Sequence, residues 1–232
     1  LDFGMDIVVC LRFNHDLRSL TATQFVQNIL VDGVNAKHLI VGDDFRFGCD
    51  RKGDFASLVT MGKQLGFSVQ NTQTVELHKQ RVSSTLVRQL LKQSDFDRVS
   101  DLLGRPFSIN GKVTYGQQLG RKLGFPTANV NLNRFRAPLT GVYAVWVDIE
   151  GVGRRIKGAA NVGVRPTIGD MVKPILEVHL LDFDQQIYGQ RISVEFVHKI
   201  RDEQQFTNLD DLAESISDDV VLIEQWFAEN NH

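Results

Sequence analysis

Along the first hundred residues, short apolar runs alternate with segments whose apolar positions recur every three to four residues. The runs Ile7 to Leu11, HLIVG (38–42) and FSVQNTQTV (67–75) have the length and composition of strands. Between them, TATQFVQNILV (21–31) and FASLVTMGKQLG (55–66) carry helical spacing. That alternation predicts a parallel α/β sheet. The opening LDFGMDIVVCLRF reads as the end of a helix passing directly into a strand, a chain entered midway. RVSSTLVRQLLKQSDFDRVSDLLG (81–104) is helical by spacing, with Leu86, Leu90, Val99 and Leu102 apolar. Ser83 or Ser84 can cap its start, and Gly104 and Pro106 close it.

Beyond Pro106 the period shortens to two. FSINGKVTYG, GVYAVWVDIEG, RRIKGAANVG, PILEVHLLDF and QRISVEFVHKI read as strands separated by glycine turns, which predicts an antiparallel sheet or barrel. Tyr143, Trp146 and Phe196 alternate within these apolar strands and are expected in the core. Leu209, Leu212, Ile216, Val220, Ile223 and Phe227 fall on one stripe, so a final amphipathic helix is expected to pack on the barrel. The change of period places a boundary near Gly104, giving domains at 1–103 and 104–232.

A length of 232 residues is enough for two cores. The net charge of -2 and pI near 6.3 provide no global basic field, which argues against nucleic acid or an anionic membrane as the main partner. Cys10 and Cys49 form neither a disulfide framework nor a zinc spacing, as expected of a reduced, cytoplasmic protein. No apolar stretch approaches a membrane span, and the start lacks a signal-peptide layout. Small molecules are the expected partners; the pattern specifies no oligomeric state.

The candidate chemistry centres on GQQLGRKLGFPTANVNL (116–132). Gly116, Gly120 and Gly124 stand four apart, but three glycines in nine residues weaken a helix, so a loop is expected. Bare backbone amides beside Arg121 and Lys122 form either a phosphate cradle or a flexible hairpin tip. The stretch is not a Walker A loop, and GVGRRI lacks the third glycine of a dinucleotide fingerprint. Thr127 and Asn129 share one face of an extended chain and offer two neutral oxygens, sufficient for Mg²⁺ if ATP supplies the charge. Both are also ordinary turn residues. In LEVHLLDF, Glu177 and His179 share one face, opposite Leu176, Val178 and Leu180. Glu177 is either a general base or part of a solvated strand face.

Taken together, GKVTYGQQLGRKLGFPTANVNL, GVYAVWV, GAANVGVRPTIG, LEVHLLDF and YGQRISVEFVHKIRDEQQFTNLDDL resemble the riboflavin kinase domain, in that order and across essentially all of residues 104–232. The first half resembles the other domain of the bacterial bifunctional riboflavin kinase/FMN adenylyltransferase (FAD synthetase), through VGDDFRFG (41–48) and RVSSTLVR (81–88). The resemblance implies part of a nucleotidylyltransferase-like, Rossmann-type α/β domain. An antiparallel riboflavin-kinase barrel with a C-terminal helix would come after it. It implies transfer of the ATP γ-phosphoryl group to the 5′-hydroxyl of riboflavin, giving FMN. Thr127 and Asn129 match the family's magnesium pair and Glu177 its catalytic base. Gly116, Gly120, Arg121 and Gly124 fall in its ATP loop, and Arg201 in a loop that folds over the flavin. Asp44 and Phe45 match residues that help hold flavin in the adenylyltransferase half, and Ser84, Thr85 and Arg88 resemble its ATP-phosphate contacts. That half of the family carries a Gly-x-Phe-Asp-Gly-x-His-x-Gly-His signature. None of His15, His38, His78, His179, His198 or His232 stands in a His-x-Gly-His arrangement. The expectation is therefore that the N-terminal part of that domain lies outside this chain, which makes FMN but not FAD. The alternative is a flavin- or nucleotide-binding module without catalysis.

Overall fold

The computed structural model describes residues 4–42, 44–77, 79–116, 118–132, 137–166 and 172–230. The helix end expected at the first residues falls largely outside them. The chain divides into two compact units, 1–81 and 82–232.

The N-terminal unit begins with α1 (His15–Ser19) and α2 (Ala22–Phe25), which runs into a π-helical stretch, Val26–Val31. Next come β1 (His38–Gly42), a 3-10 turn (Cys49–Arg51), α3 (Phe55–Leu65), β2 (Ser68–Thr72) and the short pair β3 (Glu76–Leu77) and β4 (Gln80–Arg81). As the alternation predicts, β1 and β2 pair in parallel, from His38 opposite Ser68 to Gly42 opposite Thr72. Val26, Phe47, Leu58 and Phe67 form the core beneath them. The strand expected at Ile7 to Leu11 is absent: these residues have no regular structure, and Ile7, Val8, Val9 and Leu11 are exposed. The β1–β2 sheet has two strands, and an apolar run without a partner ladder leaves its backbone groups to water.

The second unit opens with α4 (Ser84–Lys92) and α5 (Phe96–Leu103). Ser83 caps α4, its hydroxyl accepting from the Leu86 N–H at 3.2 Å. The helical stretch breaks where Ser94 turns left-handed at φ 57°, and Asp95 caps the second helix. Leu90, Leu91, Phe96 and Val99 are buried in the barrel's own core, so both helices belong to the compact unit of the barrel. The change of period at Gly104 marks the start of strand structure, and the compact unit that holds the barrel begins at Val82.

The barrel consists of β5 (Ser108–Thr114), the one-turn helix α6 (Leu119–Lys122), β6 (Thr127–Asn131), β7 (Gly141–Ile149), β8 (Ile156–Pro166), β9 (Val172–Leu180) and β10 (Arg191–Arg201). Its strands close antiparallel in the order β10-β5-β6-β9-β8-β7, which leaves no unpaired edge. Alternation sends Val113, Val130, Val145, Val162, Val178 and Val194 inward. Tyr143 and Phe196 join them in the core, as expected, whereas Trp146 faces outward and packs partly buried beneath the last helix.

That helix, α7 (Leu209–Asn230), lies on the outer faces of β7, β8 and β10. Ile223 and Phe227 are buried against Ala144 and Leu181, while Leu209 at the helix start stays exposed. Asp219 is buried on the same stripe, three residues after Ile216 and four before Ile223.

Inside the barrel the Tyr143 hydroxyl donates to the Thr140 carbonyl at 2.6 Å, and burial pushes the phenol pKa upward. A raised folded-state pKa gives stability that is complete below the ordinary value of about 10 and lost as pH rises through the folded value. Tyr143→Phe is expected to cost about 0.5–1.5 kcal/mol at neutral pH, read by urea denaturation. The variant's stability should also fall less steeply in alkali than that of the wild type.

Candidate functional site

Because the inner positions of β6, β9 and β8 are apolar, the alternate positions form an outer face. Its polar side chains are aligned by register. Asn129 stands opposite Glu177, and Glu177 stands opposite Asn161 on the far side. One step along, Thr127, His179 and Ala159 make a second row. Directly opposed residues share a face and lie in side-chain contact range, so three expected site positions, Thr127, Asn129 and Glu177, meet His179 and, from a third strand, Asn161 on one surface. The His179 ring holds its place by donating from Nδ1 to the Pro126 carbonyl at 2.9 Å, with the Phe125 ring edge-on at 5.6 Å.

The glycine stretch is not all loop. Its middle forms α6, closed by the Phe125 N–H donating to the Gly120 carbonyl at 2.8 Å. A methyl group on Gly116 would overlap the Asn129 amide, and one on Gly120 would overlap the Phe125 carbonyl. The bare backbone therefore serves the protein itself: it lets this segment lie directly on Asn129 and deliver Thr127 to the start of β6. The Asn129 Nδ2 donates to the Thr127 carbonyl at 3.4 Å, which leaves Oδ1 as the acceptor on that amide.

Two concavities flank this segment. One, of 320 Å³, is lined by Phe125, Thr127, Asn161, Glu177, Arg201, Phe206 and Asp219. The other, of 430 Å³, is lined by Arg121, Gly124, Thr127, Phe183 and Tyr188. Gln118 and Thr127 belong to both. A larger hollow of 720 Å³ lies by Trp146 and Trp226, but its groups already engage one another. Arg155 pairs with Glu195 at 2.8 Å and sits 5.2 Å over Trp146, and His198 stacks on Trp226 at 5.3 Å.

Arg201 reaches the first cavity through two register shifts of β10 against β7, between Phe196 and His198 and between Lys199 and Arg201. Strict alternation would have put Arg201 on the face of Lys199, which opposes the inward Tyr143. The second shift sets it opposite Val142, on the α7 side, where it pairs with Asp219.

The remaining expected positions lie elsewhere. Asp44 pairs with Arg81 at 3.5 Å and Phe45 stacks on Phe47 at 5.4 Å, both within the N-terminal unit. Ser84, Thr85 and Arg88 are exposed at the start of α4, where the Arg88 guanidinium donates to the Ser84 hydroxyl at 3.1 Å. Asn161, Phe206 and Asp219 were not anticipated. Asn161 joins the row only through the β8–β9 register, which the sequence does not give, whereas a carboxylate on an otherwise apolar helical stripe is a sequence signal that could have found Asp219.

Among the described residues no group of three His, Cys, Asp or Glu side chains forms a metal cage. A cation here would depend on neutral oxygens and on ligand phosphates, a donor set that Thr127 and the Asn129 amide fit.

The closed antiparallel barrel is of the riboflavin kinase class, as the family match over its residues shows. Residues 103–227 match the family model "Riboflavin kinase", and residues 1–86 match "FAD synthetase". The bifunctional riboflavin kinase/FMN adenylyltransferase of Pseudomonas fluorescens is 53% identical over 229 residues, covering 99% of this chain and 73% of that protein. The protein of the same description from Escherichia coli K12 is 44% identical over 225 residues, 97% of this chain and 71% of that one. A solved structure described as a macrolide-efflux protein from Streptococcus pneumoniae superposes with a TM-score of 0.63 at 32% identity, covering 92% of this chain and 68% of that one. The chain belongs to the bifunctional riboflavin kinase/FMN adenylyltransferase family. Among its described residues no helix is long and apolar enough to cross a membrane.

The packing of Gly116 on Asn129 predicts that Gly116→Ala displaces the amide. Misplacement on the scale of an ångström costs about 10²-fold in rate. The expected result is a loss approaching that size in FMN formation, with an unchanged melting temperature.

Proposed function

We propose that this chain phosphorylates riboflavin at the outer face of β6, β9 and β8, with the flavin in the Glu177 cavity and ATP along the Arg121 cavity. The observation that carries the reading is the junction: Thr127 lines both concavities, and the Asn129–Glu177–Asn161 row runs beside it. Two substrates held on either side of Thr127 would bring a hydroxyl and a phosphoryl group together near Glu177.

Phosphoryl transfer asks a protein mainly for alignment and charge neutralisation. The Glu177 carboxylate accepts the proton of the ribityl hydroxyl as its oxygen forms the new bond to phosphorus. The bond from that phosphorus to the bridging oxygen breaks, and ADP leaves with the electron pair. Arg121 and the backbone of the glycine segment offset phosphate charge. The apolar and aromatic wall of Phe125, Phe206, Leu212 and Ile216 suits a flat ring system and excludes water. Thr127 and Asn129 would hold Mg²⁺, which when bound neutralises charge on the phosphates. In the N-terminal unit and at the start of α4, Asp44, Phe45, Ser84, Thr85 and Arg88 are the residues we assign to flavin and nucleotide in the family's adenylyltransferase chemistry.

The test is an end-point reaction with riboflavin, ATP and MgCl₂, resolved into riboflavin, FMN and FAD by chromatography. FMN without FAD is expected, since none of the six histidines lies in a His-x-Gly-His pattern. Folded protein yielding no FMN would overturn the reading in favour of a binding module. General-base assistance is worth about 10²–10⁴-fold, so Glu177→Gln should lose most turnover while keeping riboflavin and nucleotide affinity. Near wild-type turnover would remove Glu177 from the role of base. Thr127→Ala should shift the magnesium titration of ATP binding to higher concentration; an unshifted titration would exclude Thr127 from the cation site.

A further inference from the structure

We propose that Asp219 is a positioning residue for the flavin substrate, holding Arg201 and the chain that carries Phe206 against the wall of the Glu177 cavity. This rests on the assignment of that cavity to riboflavin. Among the described residues Asp219 is the one charged side chain that is fully buried, at 5% exposure. Its two oxygens accept from Arg201 Nε and Nη2, each at 2.7 Å. A side-on, two-point pair of this kind fixes the plane of the guanidinium as well as its position.

The fixed guanidinium organises the segment from Asp202 to Phe206. Its carbon lies 5.8 Å from the centre of the Phe206 ring, and its Nη1 donates to the Asp202 carbonyl at 3.1 Å. Lys199 holds the Asp202 carboxylate at 2.6 Å, and the Glu203 carboxylate accepts from the Val164 N–H at 3.4 Å. The chain from Arg201 to Phe206 is thus tied to its surroundings at several points, and the tie to Asp219 is buried. Arg201, Glu203, Phe206 and Asp219 all line the cavity that Glu177 lines, and none of the four lines the Arg121 cavity. With its charge matched by Asp219, Arg201 lines the cavity as a planar, charge-compensated group beside Phe206, which suits an uncharged ring system and not a phosphate.

The prediction is a loss confined to one substrate. Asp219→Asn keeps the shape and removes the charge. Charge-assisted hydrogen bonds are strong enough that riboflavin Kd, read by quenching of its fluorescence, and riboflavin KM should both rise about tenfold or more. The ATP KM should stay unchanged, and Asp219→Glu should restore part of the riboflavin affinity. If Asp219→Asn does not fold, the double variant Arg201→Met/Asp219→Leu removes both charges and leaves no orphan, and it should show the same selective loss. A folded variant that binds riboflavin as the wild type does would overturn the proposal. So would one that loses riboflavin and ATP affinity by the same factor, since that is a merely structural effect. Wild-type protein that fails to bind riboflavin in the parallel titration would instead overturn the cavity's assignment, and this proposal with it.

Discussion

The closure of six antiparallel strands fixes everything that happens at Glu177. In an open sheet, a slip of one residue between β6 and β9 would exchange faces and bury Asn129 and Glu177 in place of Val130 and Val178. Here each strand is held by two neighbours, and the apolar set has only one side on which to be buried. The polar row of Asn129, Glu177 and Asn161 is therefore a by-product of core packing: the hydrophobic interior sets the register, and the register aligns the row.

Closure also explains the glycine segment. A chain leaving β5 must cross to the start of β6 over the very face that carries Asn129. With side chains at Gly116 and Gly120 it would be pushed away from that face by the Asn129 amide and the Phe125 carbonyl. Keeping it close lets Thr127 belong to two concavities at once. The proposed contact of this backbone with phosphate and the room required by Asn129 draw on the same absence of side chains, so the two uses would not compete.

Period-two alternation made part of this legible in the sequence. It placed Thr127 with Asn129, and Glu177 with His179, because within one strand the face of a residue follows from counting. It said nothing about which strands are neighbours, so Asn161 was invisible until β8 was seen beside β9. Counting also fails across a register shift, and β10 has two before Arg201. The strand expected at Ile7 to Leu11 failed for a different reason: apolar content creates a tendency, but a strand exists only where another can pair with it. The break in period at Gly104 located a real change of structure, yet α4 and α5 bury Leu90, Leu91, Phe96 and Val99 with the barrel. Helical spacing shows that a face is apolar and not which core it joins.

Asp219 carries the same lesson into energetics. Removing a carboxylate from water costs several kcal/mol even after relaxation, and a well-packed apolar pair at such a place is often as stable or more so. Stability alone thus does not account for a charge on the buried stripe of α7. An apolar pair cannot fix the plane of a guanidinium at the end of a strand whose register has just shifted. The two hydrogen bonds from Arg201 compensate the desolvation and set that plane in one step. They do so where the outer face of the barrel, the start of the 202–206 segment and the helix converge on a single cavity.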